Sequence, residues 1–116
     1  MDFESALLIR LFFGEDERFE GKPLYKYVVE FCREKGIAGA TVFRGILGYG
    51  KSSILHKGSI LSLSSDLPVV VEIVDCEENI HGLLPELSRL VRDGIITVQR
   101  VKVVKPLELD RNQDSF

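Results

Sequence analysis

The order in which apolar patterns follow one another constrains the fold of this chain most. Four extended runs, over residues 5–13, 38–47, 68–75 and 95–104, are rich in β-branched and large apolar residues. The first and third runs are almost continuously apolar, which is typical of strands that are buried on both faces. Glycine or proline bounds most of these runs, so the sequence predicts four β-strands.

An amphipathic pattern follows the first run. It begins after Pro23 and repeats every three or four residues, which predicts a helix that Gly36 ends. Its apolar face comprises Leu24, Tyr27, Val28, Phe31 and Cys32.

A second amphipathic pattern follows the third run. Asp75 and Glu78 have the spacing of a capping box, which would start this helix. Pro85 lies inside the pattern, so either the helix kinks there or its regular part begins near Leu84. The apolar face comprises Ile80, Leu83, Leu84, Leu87, Leu90 and Val91.

The resulting order, βαββαβ, predicts an α+β, ferredoxin-like fold. In this fold a four-stranded antiparallel sheet carries both helices on one face. In the fourth strand the apolar phase slips between Val98 and Val101, which predicts a β-bulge. Two helices cover only one face, yet the first and third strands are apolar on both. We therefore expect a homo-oligomer, unless the long excursion after the second strand folds back over the open face.

Length and charge narrow the possible functions. The 116 residues suffice for one domain, over residues 1–106, with a C-terminal tail over 107–116. Fifteen basic against eighteen acidic residues give a net charge of −3, which argues against a nucleic-acid partner. No apolar run is long enough to insert into a membrane. Acids precede the first apolar run, which is not the pattern expected of a signal peptide. We expect a cytoplasmic protein, in which Cys32 and Cys76 stay reduced.

The segment after the second strand contains a phosphate-binding pattern. Residues 45–52, GILGYGKS, satisfy the P-loop consensus letter for letter. A P-loop must lead into a long helix, whereas only five residues separate Ser52 from Gly58. The context therefore argues against a nucleotide-hydrolysing site.

The same segment is unusual in charge. Residues 35–65 contain no Asp or Glu but include Lys35, Arg44, Lys51, His56 and Lys57. One interpretation is an anion site in which glycine N–H groups and basic side chains bind phosphate. The other is a solvated loop, basic by chance or paired with the acidic loop over 15–20 of a neighbouring subunit.

Catalytic constellations are not evident. Ser52, Ser53 and His56 lie close in sequence, but no acid in that window would orient the histidine. Glu72 interrupts the third strand and is either an interface group or a functional carboxylate. That strand also lacks the aromatic residues of RNA-recognition sheets. We expect neither an enzyme nor an RNA-binding protein.

Several stretches carry a resemblance to a known family. GATVFRG, GYG and LPVVVEIVD, within a match over about 6–106, resemble the uncharacterised family numbered one hundred and ninety among the domains of unknown function. That family is similar to the nitrogen-regulatory PII signalling proteins. The resemblance implies ferredoxin-like trimers, a long loop after the second strand that contacts partner proteins, and adenine nucleotides in the clefts between subunits.

The resemblance also implies site residues. Gly48, Tyr49 and Gly50 resemble the Gly-aromatic-Gly turn at the base of the PII partner loop. The Arg92-Asp93-Gly94 turn occupies the region that holds nucleotide phosphates in PII proteins. This chain departs from PII proteins because it lacks their longer glycine-and-lysine turn there, and its excursion is shorter with no tyrosine at a modification position. Trimeric architecture is therefore implied more strongly than nucleotide binding or nitrogen regulation.

These observations lead to one hypothesis with two alternatives. We expect a PII-like, ligand-responsive regulatory protein that binds an anion, such as an adenine nucleotide, between subunits and signals through a mobile loop over 48–58. The alternatives are a metal-handling oligomer that uses His56 with a carboxylate such as Glu72, and a purely structural trimer. We predict that the ligand is bound by Arg44, Gly48, Gly50 and Lys51 from one side and by Arg92 and Lys102 from the other. Gly94 and Tyr49 complete the predicted site, and Tyr49 stacks on the base or packs in the subunit interface.

Overall fold

A computed structural model of the chain describes residues 2–50 and 66–104. The elements within these residues follow the predicted order, with one additional short hairpin. They are β1 (Phe3–Gly14), β2 (Arg18–Phe19), β3 (Lys22–Pro23), α1 (Leu24–Glu34), β4 (Gly39–Arg44), β5 (Pro68–Asp75), α2 (Glu77–Leu90) and β6 (Ile95–Val104).

The four long strands form one sheet in the order β4-β5-β1-β6, and every neighbouring pair is antiparallel. The two nearly continuous apolar runs of the sequence are the two central strands, β1 and β5. Strands β2 and β3 pair with each other in a separate two-stranded sheet. The ferredoxin-like prediction is thus confirmed, with the least polar strands in the middle of the sheet.

Alternation along the strands separates two faces of the sheet. In β1 the odd-numbered residues from Leu7 to Phe13 pack against the helices, together with Val71 and Ile73 of β5. The buried residues of the described segments are all apolar, and no polar or charged side chain is buried among them. This layer between the sheet and both helices is the core, and burial of its apolar area drives folding.

The ends of the helices agree with the sequence only in part. Helix α1 begins one residue after Pro23, and Gly36 follows it with φ of +76°, the left-handed conformation that favours glycine. The capping box at α2 is wrong, because the Asp75 carboxylate accepts from the N–H groups of Ala38 (3.0 Å) and Cys76 (2.6 Å). The helix runs from Glu77 to Leu90 through Pro85, so a start near Leu84 is also wrong.

The predicted bulge in β6 is wrong as well. Strand β6 pairs with β1 without interruption from Phe12–Ile95 to Phe3–Val104. Strand β6 lies at the edge of the sheet, and most of its side chains are exposed on both faces. The slip in its apolar pattern therefore reflects this exposure and not an extra residue in the backbone.

On the second face of the sheet, the described residues place no helix. At its centre the Arg10 Nε atom lies 2.8 Å from Glu72 Oε2, and Arg10 also donates to Gln99 at 3.2 Å. Partly buried apolar residues surround this ion pair. We call this surface the open face; its members include Leu8, Phe12, Val70 and Val74.

Neither helix in the described ranges has the length and apolar character that crossing a bilayer requires.

Candidate functional site

A cavity lies at the end of the sheet where β1 and β4 finish and β5 and β6 begin. Its volume is about 380 Å³. It is enclosed by the glycine-rich segment after β4, the acidic loop after β1 and the turn before β6. The lining residues are Phe12, Phe13, Gly14, Asp16, Glu17, Gly45, Leu47, Gly48, Tyr49, Gly50, Asp66, Pro68, Val70, Asp93 and Gly94. We call it the glycine cavity.

Backbone contacts hold the three segments around this cavity. The Gly45 N–H group donates to the Pro68 carbonyl at 2.7 Å, and the Glu15 N–H group donates to the Leu67 carbonyl at 2.8 Å. Gly94 passes so close to β1 that a Cβ atom on it would lie 2.2 Å from the Phe12 carbonyl oxygen. Only glycine fits there, so the turn before β6 is fixed against the end of β1.

The charged groups on the cavity wall are all carboxylates. Asp16, Glu17, Asp66 and Asp93 line it, and no Lys, Arg or His from the described segments does. The Asp16 N–H group donates to Asp66 Oδ1 at 3.2 Å. Burial raises the pKa of the Glu17 carboxyl; a weak hydrogen bond from the Gly14 N–H opposes this, while Asp93 and Asp66 add repulsion.

The remaining wall is largely apolar. Phe12, Phe13, Pro68 and Val70 come from the strand ends, and Leu47 comes from the glycine-rich segment. Tyr49 lies at the rim with 84% of its surface exposed. An apolar slot with an aromatic rim and carboxylate acceptors suits a flat ring system that carries hydrogen-bond donors.

Half of the predicted ligand-binding residues line the glycine cavity. Gly48, Tyr49, Gly50 and Gly94 do, although they come from two segments 44 residues apart in sequence. Arg44 does not: its Nη2 atom donates to Glu15 Oε2 at 2.5 Å, which raises the pKa of the guanidinium.

The other predicted cations lie elsewhere. Arg92 lines a smaller adjacent cavity of about 220 Å³. Lys102 is near the far end of β6, about 23 Å along the strand from Ile95 at the usual rise per residue, with its Nζ atom 5.9 Å from the centroid of the Phe3 ring. Lys51, with the 48–58 loop beyond Gly50, lies outside the described residues, as does the tail over 107–116.

The metal-handling alternative gains no support from the side chains that can be placed. Glu72 is paired with Arg10 on the open face, and His56 lies outside the described residues. Within 2–50 and 66–104, no group of three or more His, Cys, Asp or Glu side chains is arranged to hold a metal ion.

The P-loop interpretation meets a topological objection. Strand β4 pairs antiparallel with β5, and residues 45–50 after it are irregular. A P-loop belongs to a parallel sheet, where the loop passes from a strand directly into a helix. Residues 51 and 52 of the pattern lie outside the described segments.

Sequence reasoning missed the carboxylates of the glycine cavity. Asp16 and Glu17 follow the first strand, and Asp66 is the first acid after the acid-free stretch. Their clustering depends on the antiparallel sheet, which brings the end of β1 beside the start of β5. The sequence does show two acidic segments, one after the first strand and one before the third. Only the sheet order reveals that they lie beside the same cavity.

Comparison with known sequences identifies relatives over most of the chain. The family DUF190, described as uncharacterized ACR, matches residues 6–103. A UPF0166 protein from Aquifex aeolicus is 50% identical over 97 residues, which covers 84% of this chain and 91% of that protein.

Solved structures of PII-like proteins have a similar fold. The PII-like protein CPII from Thiomonas intermedia, bound to ADP, AMP and acetate, aligns with a TM-score of 0.66 at 13% identity, over 92% of this chain and 96% of that one. A putative PII-like signaling protein from Thermus thermophilus aligns with a TM-score of 0.61 at 21% identity, over 90% and 94%. The structural superpositions, and not the low sequence identities, establish a shared PII-like fold.

Proposed function

This chain belongs to the DUF190 family, and from that premise we propose that it is a PII-like regulatory protein that binds an adenine nucleotide. The observation that carries the proposal is the glycine cavity, which joins the segment over 45–50 to the Asp93-Gly94 turn within one chain. The resemblance to PII proteins matches the first segment to the base of their partner loop and the second to the turn that holds nucleotide phosphates. The protein acts as a binding module and not as an enzyme.

The solved structures of the same fold support this choice of ligand. CPII has been captured with ADP and AMP, and with ADP and bicarbonate. A shared fold does not carry a ligand with it, so the proposal depends on the chemistry of this chain's own cavity.

The cavity has the properties that an adenine ring requires. Phe12, Pro68 and Val70 offer an apolar floor, and the exposed Tyr49 ring is free to close over a base by stacking. The carboxylates of Asp66 and Asp93 are acceptors for an exocyclic amino group or for ribose hydroxyls. The cavity volume of about 380 Å³ lies within the range of small-molecule sites.

The phosphates need cations that the described wall of this cavity does not supply. A trimer would place the glycine cavity in a cleft between subunits, where Lys102 of one subunit faces the cavity of the next. This arrangement keeps the predicted two-sided site, except that Arg92 joins the side of Gly48 and Gly50, because one chain brings them to the same end of the sheet.

The open face is the surface that a trimer would cover. Neither described helix lies over it, its centre is the Arg10–Glu72 pair, and Phe43 at its margin is 50% exposed. A face of this kind is stabilised when other subunits remove its apolar rows from water.

Signalling would pass through the segment over 48–58. Its described neighbours already expose apolar side chains, with Ile46 at 92% and Leu47 at 74%. A nucleotide that stacks on Tyr49 would order this segment and change the surface that a partner protein meets, which is an order–disorder switch.

Calorimetric titration of the full chain with ATP, ADP, AMP and cyclic AMP tests the proposal. We expect Tyr49→Ala to weaken binding of the preferred nucleotide about tenfold, because stacking on a base contributes about 1–3 kcal/mol. Ile46→Ala is the matched control, since Ile46 is exposed in the same segment but does not line the cavity. No binding of any of the four at millimolar concentration would refute the proposal.

A further inference from the structure

A second cavity adjoins the glycine cavity and differs from it in charge. Its volume is about 220 Å³, and Arg18, Arg89 and Arg92 line it. Phe19, Leu24 and Leu90 form its apolar wall, while Glu17 and Asp93 line both cavities. We call it the arginine cavity.

The three arginines come from three different elements. Arg18 lies on β2, Arg89 in the last turn of α2, and Arg92 in the turn that leads into β6. The hairpin that carries Arg18 is fixed to α1, because the Leu24 N–H group donates to the Glu17 carbonyl at 2.8 Å and the Phe19 and Tyr27 rings meet edge to face. The fold therefore assembles this cluster.

Each guanidinium retains hydrogen-bonding capacity. Arg18 donates to the Gly21 carbonyl at 2.7 Å, and Arg89 donates to Glu86 at 2.6 Å. For Arg92, no carboxylate of the described segments lies within salt-bridge distance. A guanidinium has five N–H donors, so these contacts leave most of the donors in the cluster available to an anion.

Helix electrostatics account for only one member of the cluster. A cation in the last turn of α2 complements the negative end of the helix dipole, which explains Arg89. Arg18 belongs to a hairpin, and Arg92 lies beyond the end of the helix. Their convergence on the same cavity calls for a separate explanation.

The two adjoining cavities form a polarised pair. Four carboxylates and no described cation line the glycine cavity, whereas three guanidinium groups against two shared carboxylates line the arginine cavity. A ligand with a neutral, donor-rich end and an anionic end is favoured in one orientation only, since the reverse places its negative charge against the carboxylates.

Building on the proposed nucleotide function, we propose that the arginine cavity is the phosphate subsite of the same ligand. The base occupies the glycine cavity, and the phosphates reach Arg18, Arg89 and Arg92. Glu17 and Asp93, which line both cavities, accept hydrogen bonds from the ribose hydroxyls between them. Arginine suits this role because its planar fork binds phosphate oxygens in pairs.

Titrations of the full chain with adenosine, AMP and ADP test this assignment in the wild type and in Arg18→Gln and Arg89→Gln. We expect ADP to bind more tightly than adenosine to the wild type. Each substitution should weaken ADP binding about tenfold, because a hydrogen bond to a charged group contributes about 1.5–3 kcal/mol. Adenosine binding should stay unchanged. If the two arginines were merely structural, their substitution would weaken adenosine and ADP binding alike.

Arg33→Gln is the matched control, because Arg33 is an exposed arginine on α1 that lines neither cavity. Thermal denaturation should confirm that each variant folds. If ADP binds and both cavity variants keep the full preference for ADP over adenosine, the phosphate subsite is refuted while the proposed function stands. Equal losses for adenosine and ADP would also refute it, and a wild type that binds no nucleotide would refute both.

Discussion

The two faces of the sheet are built from the same strands but are closed in different ways. On one face α1 and α2 bury Leu11, Val71 and Ile73 completely. On the open face their neighbours in sequence stay partly exposed around the Arg10–Glu72 ion pair. Within the described residues the chain therefore completes one layer of packing and leaves the open face uncovered.

The largest expected effect comes from comparing two valine substitutions, one on each face of the sheet. Val71 and Val74 lie on β5, and they point to the covered and the open face respectively. We expect Val71→Ala to lower the free energy of unfolding by about 2–3 kcal/mol at every protein concentration, because it leaves a cavity in the core. Val74→Ala should cost about 1 kcal/mol or less in dilute solution and should weaken self-association.

Urea denaturation at two protein concentrations measures the loss in the free energy of unfolding, and light scattering measures the loss of self-association. A concentration-independent loss for Val74→Ala as large as that for Val71→Ala would contradict the comparison. It would mean that the chain itself closes its open face. A monomer at micromolar concentration would contradict the trimer.

The ion pair on the open face offers a second, smaller test. In a separated protomer the Arg10 and Glu72 side chains are 37% and 30% exposed, and we expect a coupling of about 0.5–1 kcal/mol. When other subunits cover the face, the same pair loses its water, and removal of one partner becomes more costly. A double-mutant cycle with Arg10→Met and Glu72→Gln measures this coupling below and above the concentration of assembly.

The matched control is the Lys22–Glu30 pair, which has a similar separation of 2.7 Å but joins β3 to α1 instead of lying on the open face. Its coupling should not depend on protein concentration. If both pairs behave identically at all concentrations, the open face is not an interface.

The smallest expected effect concerns the Glu17 carboxyl, which lines the glycine cavity and lies on neither face of the sheet. Burial raises the pKa of Glu17 above its ordinary value of 4.5, so the folded state holds this proton more strongly than the unfolded state. By linkage, stability falls as the pH rises through the window between that ordinary value and the raised one. Glu17→Gln should remove this component and flatten the pH profile.

Urea midpoints between about pH 4 and pH 7 measure the profile. Glu34→Gln, at the exposed end of α1, is the control. A Glu17→Gln profile that runs parallel to that of the wild type would show that the carboxyl titrates alike in both states.

Local patterns predicted the elements better than their ends. The apolar runs located all four long strands, and the amphipathic spacing located both helices, because burial imposes the periods that a sequence displays. The capping box failed because Asp75 finds the backbone of Ala38, 37 residues away. No local rule anticipates such a partner. The bulge failed because an edge strand is not required to alternate strictly.

The candidate site was predictable in its glycines and not in its charges. Gly48, Gly50 and Gly94 were marked by resemblance, and the fold brings them to one cavity. Arg18 and Arg89 carry no local signal, since a single arginine in a hairpin or in a last helical turn is ordinary. They become a cluster only where the hairpin, the end of α2 and the following turn converge.

The sequence by itself therefore determined the strand and helix order, the apolar central strands and the acid-free stretch before Asp66. Those features depend on periodicity and composition, which the chain carries locally. Tertiary structure decided which charges share a cavity. Antiparallel pairing places the ends of β1 and β4 beside the starts of β5 and β6, and carboxylates and guanidinium groups distant in sequence meet there. Proximity in space, and not in sequence, brings these groups to the same pair of cavities.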